Sequence, residues 1–373
     1  MDKVKFGVIG VKGVGRSHIK SIISSEKADL VAIADINESV GREVASNYGV
    51  KWYKDYEEML RLEEVDAVSI CTPHFLHYPM AMKAFEYEKH VLVEKPMALS
   101  VGEADEMIRE AKRRRLKLGV VYQMRANPVS MEIKRIIESG RIGEIFRACV
   151  EACELRTQAY YDRDAWRGKW ATEGGGALIN QMIHNIDLMC WLVGRPVKVI
   201  GHIGTLYHNI EVEDLASATI IFENGAQGIF QASTIDLIGT ARFEICGDKG
   251  KILVEKKAKM ALFDKSIRDY IASGENWITK TSLQWFDIEP KTELKKEHQP
   301  IIEDFAEAII SGREPLVTGE DGRISLEIVN AIILSSFEER AVSLPISREA
   351  YDALLKRLSK KETYRSTPKS AKT

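Results

Sequence analysis

Residues 4–15 read VKFGVIGVKGVG, a short apolar run followed at once by closely spaced glycines. The run Val4–Ile9 is typical of a buried strand, and the residues after Gly15 open a helix. A strand that passes through such a turn into a helix is the context in which a dinucleotide pyrophosphate binds. Gly10 would permit the tight turn, Gly15 would allow close helix packing, and the helix N-terminus would offer N–H groups to phosphate.

The loop departs from the G-x-G-x-x-G pattern at its middle position. Lys12 stands there, so that the second glycine is displaced to Gly13, before Val14. The approach of the backbone to the phosphates is therefore left open, and the loop alone also fits a glycine-rich turn that binds no ligand.

Asp35 favours the cofactor interpretation. It ends the second predicted strand about 20 residues after Gly15, where an acid can accept hydrogen bonds from the adenosine ribose. Because a carboxylate repels the 2′-phosphate of NADP, we expect NAD to be the cofactor. Lys12 and Arg16 are near enough in sequence to leave NADP open as the alternative. Asp35 could instead cap the helix that starts near Asn37.

Apolar runs alternate with amphipathic stretches in the first third of the chain, which predicts strands and crossover helices of a parallel sheet. The first domain, residues 1–124, is therefore expected to be an α/β Rossmann domain with a doubly wound sheet. Its strands are predicted at Val4–Ile9, Leu30–Ala34, Ala67–Cys71, His90–Val93 and Leu118–Tyr122, with a helix at Val101–Arg113.

After a predicted helix at Ser130–Glu138 the strands follow one another through turns, and Glu223-Asn224-Gly225 is a hairpin signal. Residues 125–350 are therefore expected to form an α+β domain with a large, mainly antiparallel open sheet, closed by helices at Pro300–Ile310 and Gly322–Arg340. Residues 351–373 are expected to be a basic C-terminal tail. The strands are predicted at Ile145–Leu155, Lys198–Tyr207, Ala216–Phe222, Gly225–Thr234, Ala241–Cys246 and Lys251–Glu255.

Composition excludes several classes of protein. The 373 residues carry 53 basic and 55 acidic side chains, a net charge of −2 that selects neither nucleic acid nor an anionic membrane. No signal peptide and no membrane-spanning apolar run are recognisable. The five cysteines form no C-x-x-C pair, which favours a reducing cytoplasm.

The strand His90–Val93 ends in Glu94-Lys95-Pro96. Open α/β sheets bind ligands at the carboxyl ends of their strands, so Lys95 could meet the nicotinamide. A lysine in that place, taken alone, is more often a solvated charge.

A second group of polar residues lies on a predicted helix, Ala177–Val193. Asn180, His184 and Asp187 are spaced i, i+4 and i+7, on one face among apolar neighbours. A buried polar stripe needs partners or ligands. A lone histidine could equally be a satisfied core residue, and a metal is not expected because no second cluster supplies further ligands.

These motifs occur together in an order that resembles the family of glucose–fructose oxidoreductase, inositol dehydrogenase and rhizopine-catabolism proteins. The resemblance covers nearly the whole chain and implies a Rossmann domain plus an open-faced sheet, NAD or NADP held at the interface, a cis Lys95–Pro96 bond and an oligomer. The matching residues are the glycine loop, Cys71-Thr72-Pro73 with His77, residues 90–96, Gln123-Met124-Arg125, Trp166-Arg167, Gly174-Gly175-Gly176-Ala177 with His184 and Asp187, Glu213-Asp214 and Gly247-Asp248-Lys249-Gly250.

The resemblance also implies roles for individual side chains. Lys95 and His184 are expected to exchange the proton of a substrate hydroxyl, and Asn180, where inositol dehydrogenase-like relatives carry aspartate, is expected to orient it. The remaining cofactor contacts are expected at Thr72, Pro73, His77, Glu94 and Gln123. The remaining substrate contacts are expected at Arg125, Tyr160, Tyr161, Trp166, Arg167 and His298, whereas Glu213-Asp214 is expected to pin a loop.

The sequence thus predicts a cytoplasmic NAD-dependent dehydrogenase, a dimer or tetramer, that acts on a ring hydroxyl of a sugar, sugar derivative or cyclitol. Two alternatives remain open: a non-catalytic dinucleotide-binding sensor, and a hydrolase or epimerase that uses NAD transiently.

Overall fold

The computed structural model describes residues 3–273, 283–290 and 298–360. The chain divides into two compact units. Of the described residues, unit 1 comprises 3–126, 171–174 and 298–327, and unit 2 comprises 127–170, 175–273, 283–290 and 328–360. The first division falls close to the predicted boundary after residue 124, but the chain then returns to unit 1 twice.

The described residues form two sheets. Strands β1 to β6 make the sheet of unit 1, and β7 to β15 make the sheet of unit 2. In chain order the strands are β1 (Val4–Ile9), β2 (Ala28–Ala34), β3 (Lys51–Tyr53), β4 (Ala67–Ile70), β5 (His90–Val93), β6 (Leu118–Val120), β7 (Ile145–Leu155), β8 (Pro196–Gly204), β9 (Leu215–Phe222), β10 (Gln227–Ser233), β11 (Ile235–Gly247), β12 (Gly250–Val254), β13 (Ala258–Leu262), β14 (Trp285–Asp287) and β15 (Val342–Ser343).

The α-helices connect and cover these strands. They are α1 (Val14–Ile23), α2 (Glu38–Tyr48), α3 (Tyr56–Leu60), α4 (His77–Glu86), α5 (Val101–Arg114), α6 (Pro128–Glu138), α7 (Gln158–Asp162), α8 (Ile183–Val193), α9 (Ile267–Ala272), α10 (Gln299–Ser311), α11 (Gly319–Glu338) and α12 (Arg348–Ser359). Residues 123–126 form a 3₁₀ turn, and residues 177–181 form a π-helical turn.

The sheet of unit 1 is parallel throughout, with the strand order β3-β2-β1-β4-β5-β6. This is the order of a dinucleotide-binding Rossmann sheet, in which the winding reverses beside β1 and ligands bind at the carboxyl ends of the strands. The predicted fold class is therefore confirmed for this unit. The short strand β3 is an addition that the sequence did not reveal.

Helix α10 also belongs to unit 1, although the sequence placed it in the second domain. Phe305 on this helix is fully buried, and its ring centroid lies 6.3 Å from that of Phe6 in β1. Gly119 makes room for it, because a Cβ at this position would lie 2.7 Å from the Phe305 ring. Apolar burial of this helix against the Rossmann sheet explains why the chain returns to unit 1.

The nine-stranded sheet of unit 2 has the order β14-β13-β12-β11-β7-β10-β9-β8-β15. Its pairs are antiparallel except for β7 with β10, which confirms the prediction of a mainly antiparallel sheet. The predicted hairpin joins β9 to β10, where Gly225 has a φ of +83°. Residues alternate between buried and exposed along β9 and β10, so one face is covered, with α8 packed on β7, and the other face is open.

The end of the described chain differs from the expected tail. Residues 348–359 form α12, whose N-cap Ser347 accepts a hydrogen bond from the Ala350 N–H. Tyr351, Leu354 and Leu358 are buried at helical spacing, which gives this basic segment one apolar face. Residues 361–373 lie outside the described part of the chain.

The longest described helix is α11, of 20 residues. Its first half carries Glu320, Asp321, Arg323 and Glu327. In the part of the chain that the structure describes, no helix combines the length and the apolar character needed to cross a membrane.

Candidate functional site

The glycine loop follows β1 in unit 1, and contacts with its neighbours explain two of its glycines. Gly10 has a φ of +83°, and a Cβ there would lie 2.8 Å from the Cys71 carbonyl oxygen. A Cβ on Gly15 would lie 1.9 Å from the Gly10 carbonyl oxygen. Gly13, with a φ of +59°, is the N-cap of α1 and supplies no side-chain cap to the first N–H groups of that helix. The loop therefore has the tight turn and the uncapped helix start that a pyrophosphate requires.

The carboxylate of Asp35, directly after β2, lies beside this loop. It accepts hydrogen bonds from the Val11 N–H at 2.9 Å and from the Asn37 N–H at 2.8 Å. Asn37, and not Asp35, caps α2 through its side chain. Arg16, one of the two cations that could accommodate a 2′-phosphate, donates from one guanidinium nitrogen to both carboxylate oxygens of Glu43 at 3.0 Å, while Lys12 is exposed.

The ends of β4 and β5 lie at the same edge of the sheet. The Lys95–Pro96 peptide bond is cis, as the resemblance implied. His77 is fully buried, and its ring nitrogens lie 2.7 Å from the Pro96 and Thr72 carbonyl oxygens. Burial lowers the pKa of His77 more than these two carbonyls raise it. His77 therefore joins the segment of Thr72 and Pro73 to that of Lys95, and it is not exposed for direct contact with a cofactor.

Glu94 is held by a residue that the sequence analysis missed. His18, on the buried face of α1, places its Nε2 2.9 Å from the Glu94 carboxylate. His298, predicted as a substrate contact, lies in unit 1, where its ring centroid is 4.9 Å from that of His18 and its Nε2 is 3.8 Å from Glu94. The signal for His18 was its position three residues after Gly15, on the apolar face of the first helix.

Two further predicted residues follow β6. The side-chain oxygen of Gln123 is a buried acceptor with no hydrogen-bond partner among the described residues. Arg125 is buried, and its Nη1 lies 2.9 Å from the Asp321 carboxylate. Burial raises the pKa of Asp321, but the Arg125 charge and the hydrogen bonds from Thr318 and Arg125 outweigh it, so the pKa is lowered. Arg125 is thus engaged within unit 1.

Unit 2 brings several predicted substrate contacts together around the Tyr160 hydroxyl. The Arg167 guanidinium, the Asn180 amide at 3.3 Å and the Gln181 amide at 2.9 Å all donate to it. The Arg167 guanidinium also stacks on the Tyr160 ring at 4.4 Å and on the Trp166 ring at 4.5 Å. Planar rings, a cation and amides in one place suit the faces and hydroxyls of a sugar.

Tyr161 has a different environment from its neighbour. It is buried, and its hydroxyl lies 3.0 Å from the Thr234 Oγ1. Its ring meets that of His208 edge to face at 4.8 Å. These contacts are those of a core residue.

The predicted helix at Ala177–Val193 is wrong in one respect, since residues 177–181 form a π-helical turn and α8 begins only at Ile183. The wider turn places Asn180 off the regular spacing from His184 and Asp187 that the sequence suggested. Asn180 and Asp187 are buried, and His184 is half-buried.

Glu213 explains why the turn forms there. Its carboxylate accepts the Gly176 and Leu178 N–H groups at 2.9 Å each, and its carbonyl accepts the Ala177 N–H at 3.0 Å. Asp214 accepts three consecutive N–H groups from residues 206–208. The prediction that Glu213-Asp214 pins a loop is confirmed.

Two family models match the chain. The model of the oxidoreductase family with an NAD-binding Rossmann fold matches residues 4–122, and the model of the GFO/IDH/MocA C-terminal domain matches residues 130–253. The myo-inositol 2-dehydrogenase of Thermotoga maritima is 27% identical over 91% of this chain and 98% of its own length. The NAD(+)-dependent scyllo-inositol 2-dehydrogenase of Bacillus subtilis is 28% identical over 93% of this chain and 98% of its own length.

The fold of a solved dehydrogenase structure supports the same family as these sequence relatives. The WlbA dehydrogenase of Bordetella pertussis, in complex with NADH and UDP-GlcNAcA, superposes with a TM-score of 0.80 and 27% identity over 93% of this chain and 99% of that one. The levoglucosan dehydrogenase in complex with NADH, at 23% identity and a TM-score of 0.81, shares the fold. The chain therefore belongs to the glucose–fructose oxidoreductase, inositol dehydrogenase and rhizopine-catabolism family, and its first unit is that family's NAD-binding Rossmann domain.

Proposed function

We propose that this protein is an NAD-dependent dehydrogenase that acts on a ring secondary hydroxyl of a sugar, sugar derivative or cyclitol. The observation that carries the proposal is the position of Lys95, which follows β5 at the same edge of the parallel sheet as the glycine loop after β1 and Asp35 after β2. Ligands of such sheets bind at this edge. The inositol dehydrogenases among the relatives support the substrate class.

The residues of unit 1 fit NAD. Gly10 and Gly15 permit the tight turn of the loop, because a Cβ on either would meet a carbonyl oxygen of the chain itself, and α1 starts without a side-chain cap. The buried acceptor on Gln123 suits a donor such as a carboxamide or a hydroxyl. We assign the pyrophosphate to residues 10–15, including Lys12 and Val14, and the adenosine ribose to Asp35.

The roles of the remaining side chains follow from their chemistry. When bound, NAD supplies the acceptor for a hydride from the carbon that carries the hydroxyl. Lys95 takes the hydroxyl proton during oxidation and returns it in the reverse direction, with His184 as a second proton carrier. Asn180 can donate and accept hydrogen bonds but does not titrate, so it orients the substrate.

The contacts divide the other predicted substrate residues into two groups. Tyr160, Trp166 and Arg167 form one connected group with Asn180, and we assign them to substrate hydroxyls. Arg125 is engaged with Asp321, Tyr161 with Thr234, and His298 lies beside His18 and Glu94. We therefore assign these last three residues to support of the site.

The preference for NAD is tested at Asp35. Asp35→Ser removes the carboxylate that would repel a 2′-phosphate, and we expect the ratio of NADPH to NADH dissociation constants to fall towards one. Arg16→Ala is the matched control, because Arg16 is paired with Glu43 and its loss should leave the ratio near that of the parent protein. Tryptophan-fluorescence titrations measure both ratios, and tighter NADPH binding by the parent protein would contradict the assignment.

We also propose that the protein forms a homo-oligomer through the open face of the nine-stranded sheet. Ile200 on β8 and Ile229 on β10 point outward and are 55% and 49% exposed, and both pair with Thr219 on β9. Exposed isoleucines on neighbouring positions of one sheet face are the kind of surface that a second copy of the chain can cover. Sedimentation of the parent protein and of Ile229→Lys, which should shift towards monomer, tests this.

The test of the function itself is a substrate panel. Inositols, hexoses, aldonates and a nucleotide-linked sugar acid are offered with NAD or NADP, and the reduced cofactor is followed by its absorbance. We expect turnover with at least one cyclic polyol, and a turnover lower by roughly 10²–10⁴-fold in Lys95→Ala. Binding of NADH without turnover of any polyol would favour the sensor, and product without net reduced cofactor would favour transient use of NAD.

We place this chemistry in the cytoplasm, where cysteines such as Cys149 stay reduced.

A further inference from the structure

His18 connects three elements of unit 1. It is fully buried on α1, and its Nδ1 lies 2.7 Å from the Ser69 Oγ on β4. Its Nε2 lies 2.9 Å from Oε1 of Glu94, and Oε2 of Glu94 accepts the Lys95 N–H at 3.2 Å. One imidazole is thus linked through one carboxylate to the backbone of Lys95.

The hydrogen-bond partners favour a doubly protonated His18. A carboxylate only accepts, so Nε2 carries a hydrogen, and the Ser69 hydroxyl can accept a second one from Nδ1. Burial alone lowers the pKa of His18, but Cys71 and Glu94 outweigh it and raise this pKa to about 10. Burial raises the pKa of Glu94, but the hydrogen bond from His18 and the charges of His18, His298 and Lys95 lower it to about 2.

The same groups also have the composition of a metal site, but their distances are those of hydrogen bonds. The possible ligand atoms of His18, Glu94 and His298 lie within 4.8 Å of one another. Tetrahedral zinc with bonds of about 2.0–2.1 Å separates its ligand atoms by about 3.4 Å. Here one pair is at 2.9 Å, a hydrogen-bond length, and another is at 3.8 Å.

We propose that His18 is a positioning residue for Lys95: as an imidazolium it fixes and neutralises Glu94, and Glu94 fixes the Lys95 backbone. The importance of His18 for catalysis rests on the proton-transfer role proposed for Lys95. The connection from His18 through Glu94 to the Lys95 backbone does not depend on that role. The His77 ring holds the other side of the same segment through the Pro96 carbonyl.

The charge on Glu94 matters because several titratable groups face it. His18 faces it from α1 and His298 from the position just before α10, Lys95 follows it in the chain, and its charge also raises the pKa of His77 on α4. Without His18, the carboxylate would lose the cation that lies 2.9 Å from it. It would then hold a proton more firmly on the Lys95 amine, since an opposite charge nearby favours the charged form.

The protonation state is measured directly in the full chain without cofactor. Nitrogen-15 spectra of labelled histidines identify the His18 signals as those that disappear in His18→Gln. We expect both ring nitrogens to remain protonated from pH 6 to pH 9, and added zinc to leave them unchanged. A neutral ring at pH 7, or a shift with one equivalent of zinc, would overturn the proposal.

The influence on Lys95 is measured by the pH dependence of its acetylation, read from peptide masses, because this half-buried amine reacts only when it is unprotonated. We expect His18→Gln to raise the midpoint by roughly one pH unit. The double variant His18→Gln/Glu94→Gln, in which no charge is left uncompensated, should return it to that of the parent protein. His208→Gln in unit 2 removes another buried histidine–carboxylate pair and should not move it.

The outcomes separate this proposal from the proposed function. An unmoved midpoint in His18→Gln, with the double variant folded by circular dichroism, would disprove the link whatever the enzyme does. The acetylation midpoint could shift in His18→Gln and return in the double variant while no polyol in the panel is turned over. That result would support the link between His18 and Lys95 and contradict the proposed dehydrogenase activity.

Discussion

The glycine loop of unit 1 and the group around Tyr160 in unit 2 are built in different ways. In the loop, the turn at Gly10, with a φ of +83°, and the carbonyl oxygen of Gly10 that excludes a Cβ from Gly15 lie within six residues of one another. In unit 2, the Tyr160 hydroxyl is reached by side chains up to 21 residues away in the chain. Sites made by local backbone geometry can thus be read from sequence, whereas sites made by distant side chains are seen only in the fold.

The largest expected effect separates chemistry from binding in unit 1. Lys95→Ala should lower turnover roughly 10²–10⁴-fold, the range for loss of a positioned acid or base, and leave the dissociation constant of NADH within a few-fold. Lys83→Ala, which removes a partly exposed lysine paired with Glu86, is the control and should retain turnover. Steady-state rates and fluorescence titrations measure both, and full turnover in Lys95→Ala would remove Lys95 from the mechanism.

The next effect tests whether the backbone of the loop determines cofactor affinity. Gly15→Ala forces its Cβ to within 1.9 Å of the Gly10 carbonyl oxygen, and overpacking of this kind costs about 1–3 kcal/mol. We expect NADH affinity to fall by at least about tenfold.

Gly49→Ala controls for backbone strain without a clash. Gly49 has a φ of +69° and no atom within 4 Å of its Cβ position, so this variant should lose stability but not affinity. Equal loss of NADH affinity in both variants would mean that the loop contact is not specific.

A smaller effect distinguishes two adjacent tyrosines of unit 2. Tyr160→Phe removes the acceptor shared by Arg167, Asn180 and Gln181, so we expect the KM for the polyol to rise about tenfold with NADH affinity unchanged. Tyr161→Phe removes the contact with Thr234 and should lower stability without changing KM. The opposite result would assign substrate contact to Tyr161.

The sequence predicted what local pattern determines. The bounds of β1, β5 and β7 agree with their predictions, and the glycine loop, Asp35 and Lys95 all follow strands at one edge of the sheet. It missed β3, which has only three residues, and the π-helical turn at 177–181, because the Glu213 carboxylate that holds this turn lies 37 residues from Gly176.

His298 shows the same limit in unit 1. The sequence predicted a helix near this residue, but no pattern indicated that Phe305 on that helix would pack against Phe6 in β1. The substrate role predicted for His298 followed from a resemblance, whereas its position beside His18 depends on that long-range packing.

The smallest effect concerns the stability of the loop that Asp214 holds in unit 2. The His208 side chain is 7% exposed, and its Nδ1 lies 3.2 Å from the Asp214 carboxylate. The hydrogen bond with Asp214 raises the pKa of His208 in spite of burial, which lowers it. Burial raises the pKa of Asp214, but the His208 side chain and the N–H groups of residues 206–208 outweigh it, so this pKa is lowered.

A histidine whose pKa is raised on folding stabilises the protein fully below its unfolded pKa of about 6.5, and this contribution is lost as the pH rises through the folded value. The aspartate contributes above about pH 4 and loses its contribution in more acidic solution. The pair should therefore stabilise the protein most between these limits. Urea unfolding at pH 5.5 and pH 8.5 measures this, and we expect the difference in free energy of unfolding between the parent protein and His208→Gln to be larger at pH 5.5. A difference that is larger at pH 8.5 would mean that His208 is neutral in the folded protein and that backbone hydrogen bonds alone hold the loop.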